Sequence, residues 1–137
     1  MINKAFVFAG FQSVSDTNTT FTSTTIYSDF ISRCSSEYST LQPTANFTDF
    51  ATKVGTLEGT LPEWTDAQLA KINGTKVTIV GAEFDEAVNL DVPAKLNKAI
   101  QGSGLVMLKD VSHFAPVQDP VGFAGAVETF LSGAYEF

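Results

Sequence analysis

The sequence predicts an α/β fold: a partial parallel sheet of about three strands with flanking helices, and a helical insertion after the first strand. Three observations carry this. Short apolar runs at 4–8, 76–81 and 105–108 have the length and β-branched or aromatic content of strands buried on both faces. Segments of helical periodicity, each with start and stop signals, lie between and after them, and such alternation sets strands parallel with right-handed crossovers. Finally, 137 residues at 44% hydrophobic and 17% charged describe a globular chain of one domain at most.

Taken in order, Lys4-Ala-Phe-Val-Phe8 is the first strand, ending at Ala9-Gly10 and beginning almost at the first residue. Residues 11–23 are dominated by Ser, Thr, Asp and Asn, whose side chains compete for backbone hydrogen bonds, and read as a loop entering a lid. From Thr24 to Leu41, the residues Ile26, Phe30, Ile31, Cys34, Tyr38 and Leu41 fall at helical spacing, with Pro43 as the stop. Phe47, Phe50, Val54, Leu57 and Leu61 form a second amphipathic run, weakened by Gly55 and Gly59 and ended by Pro62. Residues 11–64 are therefore read together as a helical cap.

Thr65-Asp-Ala-Gln68 has the spacing of a capping box and opens a short helix over 66–71, with Ala67, Leu69, Ala70 and Ile72 on its apolar side. Asn73-Gly74 is a turn, and 76–81 is the strand aimed at Asp85. Pro93 suits the first turn of the next helix, with Leu96, Ala99 and Ile100 inward and Gly102 beyond its end. The run 105–108 leads to His113. The last helix starts with Asp119 as N-cap and Pro120 in first position, presents Phe123, Ala126, Val127, Phe130 and Leu131 on one face, and closes at Gly133.

A formal charge of −7 disfavours nucleic acid or an anionic membrane surface as a partner and leaves small neutral ligands open. No apolar run within the segment is long enough for a transmembrane span, and none has the form of a secretory signal. Cys34 is the single cysteine, which excludes an intrachain disulfide, and its place on an amphipathic helix suits a buried or half-buried hydrophobe. Sequons at Asn18, Asn46 and Asn73 would suit a secreted protein, but a Thr-rich chain produces them by chance, so the compartment stays open between cytoplasm and exterior. No HExxH, CxxC, Walker loop or GxGxxG occurs, so neither a metal nor a dinucleotide cofactor is expected.

The chemistry-bearing residues are Asp85 and His113. Val77-Thr-Ile-Val-Gly-Ala-Glu-Phe-Asp85 and Leu105-Val-Met-Leu-Lys-Asp-Val-Ser-His113 each run apolar and then stop at a polar residue, which delivers both to the C-terminal edges of adjacent strands. Open α/β sheets bind and react at that edge. His113, the only histidine, has the one side chain whose unperturbed pKa, about 6.5, allows proton uptake and return near neutrality. Asp85 alternatively serves as a turn or capping carboxylate in a loop that also holds Glu83 and Glu86. Asp110 and Asp119 are weaker acid candidates with ready turn and cap roles.

The Asp85 strand, the Val111-Ser-His-Phe-Ala loop, the later Asp119-Pro120 and the order of elements together resemble the C-terminal half of an α/β-hydrolase-fold protein. The 28 residues from Asp85 to His113 are close to the family's strand-helix-strand separation. The resemblance implies catalytic roles for both: Asp85 holds the imidazole in one tautomer, and His113 acts as base toward a nucleophile on a strand-to-helix elbow. One departure is local: the family usually has Gly directly before the acidic residue two places ahead of the Asp, whereas here Gly81 and Ala82 stand in the reverse order.

The elbow itself is not in the sequence. No Gly-x-Ser-x-Gly, nor Asp or Cys in that frame, follows a strand, and Gly102-Ser-Gly104 has the wrong spacing. The expectation is thus a chain supplying acid, base and lid for cleavage of an ester or similar bond in a small apolar substrate, inactive alone, with the nucleophile on a separate N-terminal piece. Met1-Ile-Asn3 would then be a start placed just upstream of a natural strand. The alternatives are a non-catalytic binding protein of the same fold that self-associates through the open strand edge near Phe6, and an incomplete fragment. Phe21, Phe30, Phe47, Phe50 and Trp64 either line an apolar pocket under the lid or, their commoner use, pack a helical cap against the sheet.

Overall fold

Alternating apolar side chains in the three runs give each strand two faces to bury, and all three pair in parallel in chain order: β1 (Ala5–Phe8), β2 (Val77–Ala82) and β3 (Gly104–Leu108). The computed structural model describes residues 3–133 and Tyr135. The helices are α1 (Thr25–Leu41), α2 (Phe47–Glu58), α3 (Asp66–Leu69), α4 (Val92–Ala99), α5 (Ala115–Gln118) and α6 (Pro120–Ser132). None of them is long and apolar enough to cross a membrane.

Register runs Ala5↔Val77 to Phe8↔Val80 on one side of β2 and Thr78↔Gly104 to Ala82↔Leu108 on the other, so β2 is central and every one of its residues is buried. On one face Ala5, Val7, Val77 and Ile79 pack against Val92, Leu96 and Ile100 at and beyond α4. On the other, Phe6 and Phe8 meet Phe123 and Phe130 of α6 edge to face at 5.1–5.9 Å. The result is helix, sheet, helix. β1 and β3 each have a single strand neighbour among the described residues.

The capping signals hold. Gln68 N–H donates to Thr65 Oγ1 at 3.3 Å while Thr65 N–H donates to Gln68 Oε1 at 2.8 Å. Asp119 Oδ1 accepts from Gly122 N–H at 2.9 Å, and Gly133 ends α6 at φ +76°, where a Cβ would be strained.

Four expectations need correction. First, α2 stops at Glu58, not Leu61: Gly59 N–H closes onto the Gly55 carbonyl at 2.9 Å, and the chain then leaves to set Glu63 in an isolated bridge against Ser13. Second, α3 is a single turn in which only Leu69 is buried, while Ile72 is 43% exposed. Third, Leu131 projects to solvent from α6. Fourth, the covered stripe of α1 is Tyr27, Ile31, Cys34 and Tyr38, all half-buried, whereas Ile26, Phe30 and Leu41 are exposed. Neither α1 nor α2 buries any residue fully, because one flank of each faces a cavity and not the sheet.

The long excursion between β1 and β2 is tied down at its stem. Residues 11–23, read as loop, contain two 3-10 turns, Val14–Asp16 and Phe21–Ser23. Thr17 bridges Val88, Asn18 N–H donates to the Ala87 carbonyl at 2.8 Å, and Asn89 N–H donates to the Asp16 carbonyl at 2.9 Å. The buried Asp16 carboxylate accepts from Gln12 N–H, Ser13 N–H and Lys95 Nζ at 3.0, 3.1 and 2.6 Å. Burial pushes the Asp16 carboxyl up, but the Lys95 ammonium and the two amides outweigh it and hold it below its ordinary value.

Candidate active site

Parallel neighbours end on the same edge, so the loops leaving β2 and β3 run side by side. They continue to pair: Glu83 N–H donates to the Leu108 carbonyl at 2.9 Å and Phe84 N–H to the Val111 carbonyl at 3.0 Å. Each loop then releases its polar residue toward the other.

Asp85 and His113 meet there. His113 Nδ1 lies 3.1 Å from Asp85 Oδ1 and 3.3 Å from Oδ2. Asp85 Oδ1 also accepts from Ala87 N–H at 2.9 Å and Val88 N–H at 2.8 Å, so the carboxylate cannot swing away without losing two backbone donors. A carboxylate facing Nδ1 selects the Nδ1–H tautomer and leaves Nε2 as the basic nitrogen of the neutral ring. The Asp85 side chain is 6% exposed and that of His113 31%.

The electrostatics follow. The hydrogen bond that His113 Nδ1–H donates to Asp85, joined by the charges of Asp85 and Glu86, raises the imidazole's pKa against the opposing effect of burial. For Asp85 burial is the largest single influence and pushes the carboxyl up; the His113 bond, the two backbone amides and the imidazolium charge together overcome it and hold the group below its ordinary value.

The reversed order at 81–82 has a packing reason. A Cβ on Gly81 would come within 2.7 Å of Pro93 Cγ and 2.8 Å of Met107 Sδ, so glycine is needed where α4 crosses β2. Ala82, on the opposite face, is 1% exposed and packs with Val111 and Ala115.

The other acids are engaged elsewhere. Glu83 pairs with Lys109 Nζ at 3.1 Å and accepts from Asp110 N–H at 3.1 Å, with Asp110 itself in the left-handed region at φ +57°. Asp119 caps α6. Ser103 of Gly102-Ser-Gly104 is held by Asn97 on α4. Among the described residues no group of three or more His, Cys, Asp or Glu side chains could hold a metal ion.

Two adjoining cavities of about 380 and 390 Å³ share His113, Phe21, Tyr27, Gly55 and Glu58 in their walls. Phe30, Phe47 and Phe50 line the second, so four of the five aromatic residues singled out in the excursion enclose space over the histidine and do not seal a cap onto the sheet. Trp64 lines neither and is 53% exposed. Among the described residues, Glu58 is the only charged residue besides His113 in either wall. The rings of Phe21 and Phe114 stand 6.0 and 5.7 Å from the imidazole. A smaller cleft of about 200 Å³, lined by Lys4, Lys76 and Phe130 among others, lies elsewhere and shares no residue with the pair.

Sequence reasoning missed how the loops are tied. Glu86 Oε2 accepts from His113 N–H at 3.0 Å, Glu86 Oε1 accepts from Ser112 Oγ at 3.1 Å, and Gln118 Oε1 accepts from Ser112 N–H at 2.7 Å. The available signal was a Glu directly after the acid and a Ser directly before the histidine, which becomes a pair only once the two strands are adjacent.

No family model matches the chain, and no curated protein matches it significantly. Among solved structures it is similar to the carboxylesterase CesB (YbfK) from Bacillus subtilis, with 19% identity and a TM-score of 0.45. The likeness covers 56% of this chain and 27% of that one, so the chain spans about a quarter of the esterase's length. At that identity and overlap it assigns neither a family nor an activity.

Proposed function

We propose that this chain supplies the acid, the base and the lid of an α/β-hydrolase-type active site that cleaves an ester or a similar bond in a small apolar substrate. The observation that carries the reading is the 3.1 Å contact between Asp85 and His113 at the ends of adjacent parallel strands, beside an aromatic-lined cavity. In this reading Nε2 takes the proton of a nucleophile and returns it to the leaving group, while Asp85 fixes the tautomer and stabilises the transient imidazolium. The excursion over 11–64 is the lid, its phenylalanines receiving the apolar part of the substrate. The nucleophile comes from outside the 137 residues, since no elbow motif lies within them.

The test is hydrolysis of p-nitrophenyl butyrate by the chain alone and combined with nucleophile-bearing N-terminal portions of α/β-hydrolases. We expect no turnover alone, and turnover in a productive combination that His113→Ala lowers by roughly 10³-fold or more, with Asp85→Asn lowering it by about 10²–10⁴-fold. Turnover indifferent to His113→Ala overturns the reading. A homodimer by sedimentation with no turnover in any combination favours instead a non-catalytic chain that pairs through the outer edge of β1, a reading supported by the absent elbow and by the single neighbour of that strand among the described residues.

A further inference from the structure

We propose that Glu86 is a positioning residue for His113: its carboxylate clamps the histidine loop to the acid loop and sets the register in which Asp85 meets the imidazole. This inference rests on the acid–base reading of Asp85 and His113 and extends it to a third carboxylate.

The geometry is that of a two-pronged brace. One carboxylate oxygen of Glu86 accepts the backbone N–H of His113 at 3.0 Å, the other accepts the Ser112 hydroxyl at 3.1 Å. Both donors belong to the loop after β3, while Glu86 belongs to the loop after β2, so the bonds span 27 and 26 residues of sequence and join the two loops where Asp85 and His113 must meet. Bonds from a charged acceptor are about twice as strong as neutral ones. The brace is itself anchored: the Glu86 carbonyl accepts from Asn18 Nδ2 at 3.1 Å, and the next residue's carbonyl accepts from Asn18 N–H, which ties it to the stem of the excursion.

A brace is needed because the strands end early. β3 stops at Leu108 and the last ladder-like bond falls at Val111, which leaves Ser112 and His113 outside the sheet's own hydrogen bonding. Without Glu86 the backbone amide of His113 loses its partner, and the loop is held by the Ser112 N–H bond to Gln118 Oε1, the imidazole bond to Asp85 and the flanking rings. Displacements near 1 Å from catalytic geometry cost up to about 10²-fold in rate.

Glu86 also places a second negative charge beside the ring. The charged and titratable groups facing His113 are Asp85 and Glu86 from the acid loop, Glu58 from α2 and Tyr27 from α1, with no Lys or Arg among the cavity-lining residues. Removing Glu86 therefore favours the neutral imidazole, whereas a purely scaffolding contact would leave the titration in place.

The experiment is NMR titration of the His113 ring in the 137-residue chain, wild type against Glu86→Gln, Ser112→Ala and Asp85→Asn, with Glu86→Ala as the harsher variant. The fold of each variant is verified by backbone amide spectra. We expect Glu86→Gln to lower the His113 midpoint, to weaken the downfield Nδ1–H signal and to speed exchange of the His113 amide at least tenfold. Ser112→Ala should speed that exchange with little change in midpoint. In a complemented enzyme Glu86→Gln should lower kcat about tenfold with KM nearly unchanged. An unchanged midpoint and amide exchange in Glu86→Gln, with the midpoint lowered in Asp85→Asn, overturns the brace and leaves the acid–base pair intact. A midpoint unmoved by Asp85→Asn overturns the pair, and the brace with it.

Discussion

The sheet layer and the helical excursion share one chain but are held by different physics. β2 is buried along its whole length between α4 and α6, and Ile79, Val80 and Val92 are at most 1% exposed. In contrast, α1 and α2 bury no residue fully, and they meet through a few aromatic contacts such as the stacked Tyr38 and Phe50 at 4.9 Å. The stem is different again, fixed by the bridge to Val88 and by the Asp16–Lys95 pair. Apolar burial scales with area removed from water, so most of the stability resides around β2 while the outer helices sit near the low end of the local-stability range. This distribution is the one expected of the lid proposed above, whose roots stay fixed while its outer helices move.

The sharpest way to break that contrast is to truncate one apolar side chain to alanine in each region. Ile79→Ala, at 1% exposure in the centre of the sheet, should cost about 3 kcal/mol of global stability by urea denaturation. Phe50→Ala removes a larger side chain, but one that is already 43% exposed, and should cost about 1 kcal/mol or less. Its effect should appear as faster amide exchange in α1 and α2, with the far-UV transition broadening and the sheet's protection unchanged. Comparable global losses from the two substitutions would mean that excursion and sheet unfold together.

Legibility from sequence divides along the same line. β2 with Asp85, β3 with His113, the Thr65–Gln68 capping box, and the Asp119 and Gly133 boundaries of α6 could all be read, because each depends on local chemistry or on a continuous apolar run. The exposed face of α1 could not. Its apolar residues satisfy helical spacing on two overlapping stripes, and only the fold decides that Tyr27, Ile31, Cys34 and Tyr38 are covered while Phe30 turns to the cavity edge. The ties made by Asp16 to Lys95 and Glu86 to His113 were equally invisible, since they link residues 79 and 27 apart through side chains that read individually as ordinary surface acids.

A second test weighs the electrostatic contribution of the acid–base pair against the burial around β2. Asp85 has a folded pKa below its unfolded value, so its contribution is present above about pH 4 and is lost as pH falls through the folded value. His113 has a folded pKa above its unfolded value, so its contribution is complete below about pH 6.5 and is lost as pH rises through the folded value. The pair should therefore stabilise most between about pH 4 and pH 6.5. Asp85→Asn should cost about 1–2 kcal/mol in that window, less outside it, and flatten the pH profile of the urea midpoint. A profile unaltered by Asp85→Asn would place the chain's pH sensitivity elsewhere, with Asp16 and its lysine the next group to examine.

The smallest effect discriminates best, because it applies the same chemical change to each region. Gly55 in α2 and Gly125 in α6 are both helix-interior glycines whose added Cβ would meet nothing within 4 Å. Alanine at either should stabilise its helix by about 0.5–1 kcal/mol by restricting the unfolded chain. In α6, which buries Ala126 and Phe130 against the sheet, that gain should add to the global unfolding free energy and raise the urea midpoint. In α2 it should appear only as slower amide exchange over 47–58, with the midpoint unchanged, because local opening there precedes global unfolding. Gly55 also lines both cavities beside His113, so in the proposed hydrolase reading its methyl should weaken binding of bulky acyl groups, whereas Gly125→Ala should not. If Gly55→Ala raises the global midpoint as far as Gly125→Ala does, the excursion is cooperative with the sheet, and access to His113 must come from side-chain rotation of the rings around it and not from movement of α1 and α2.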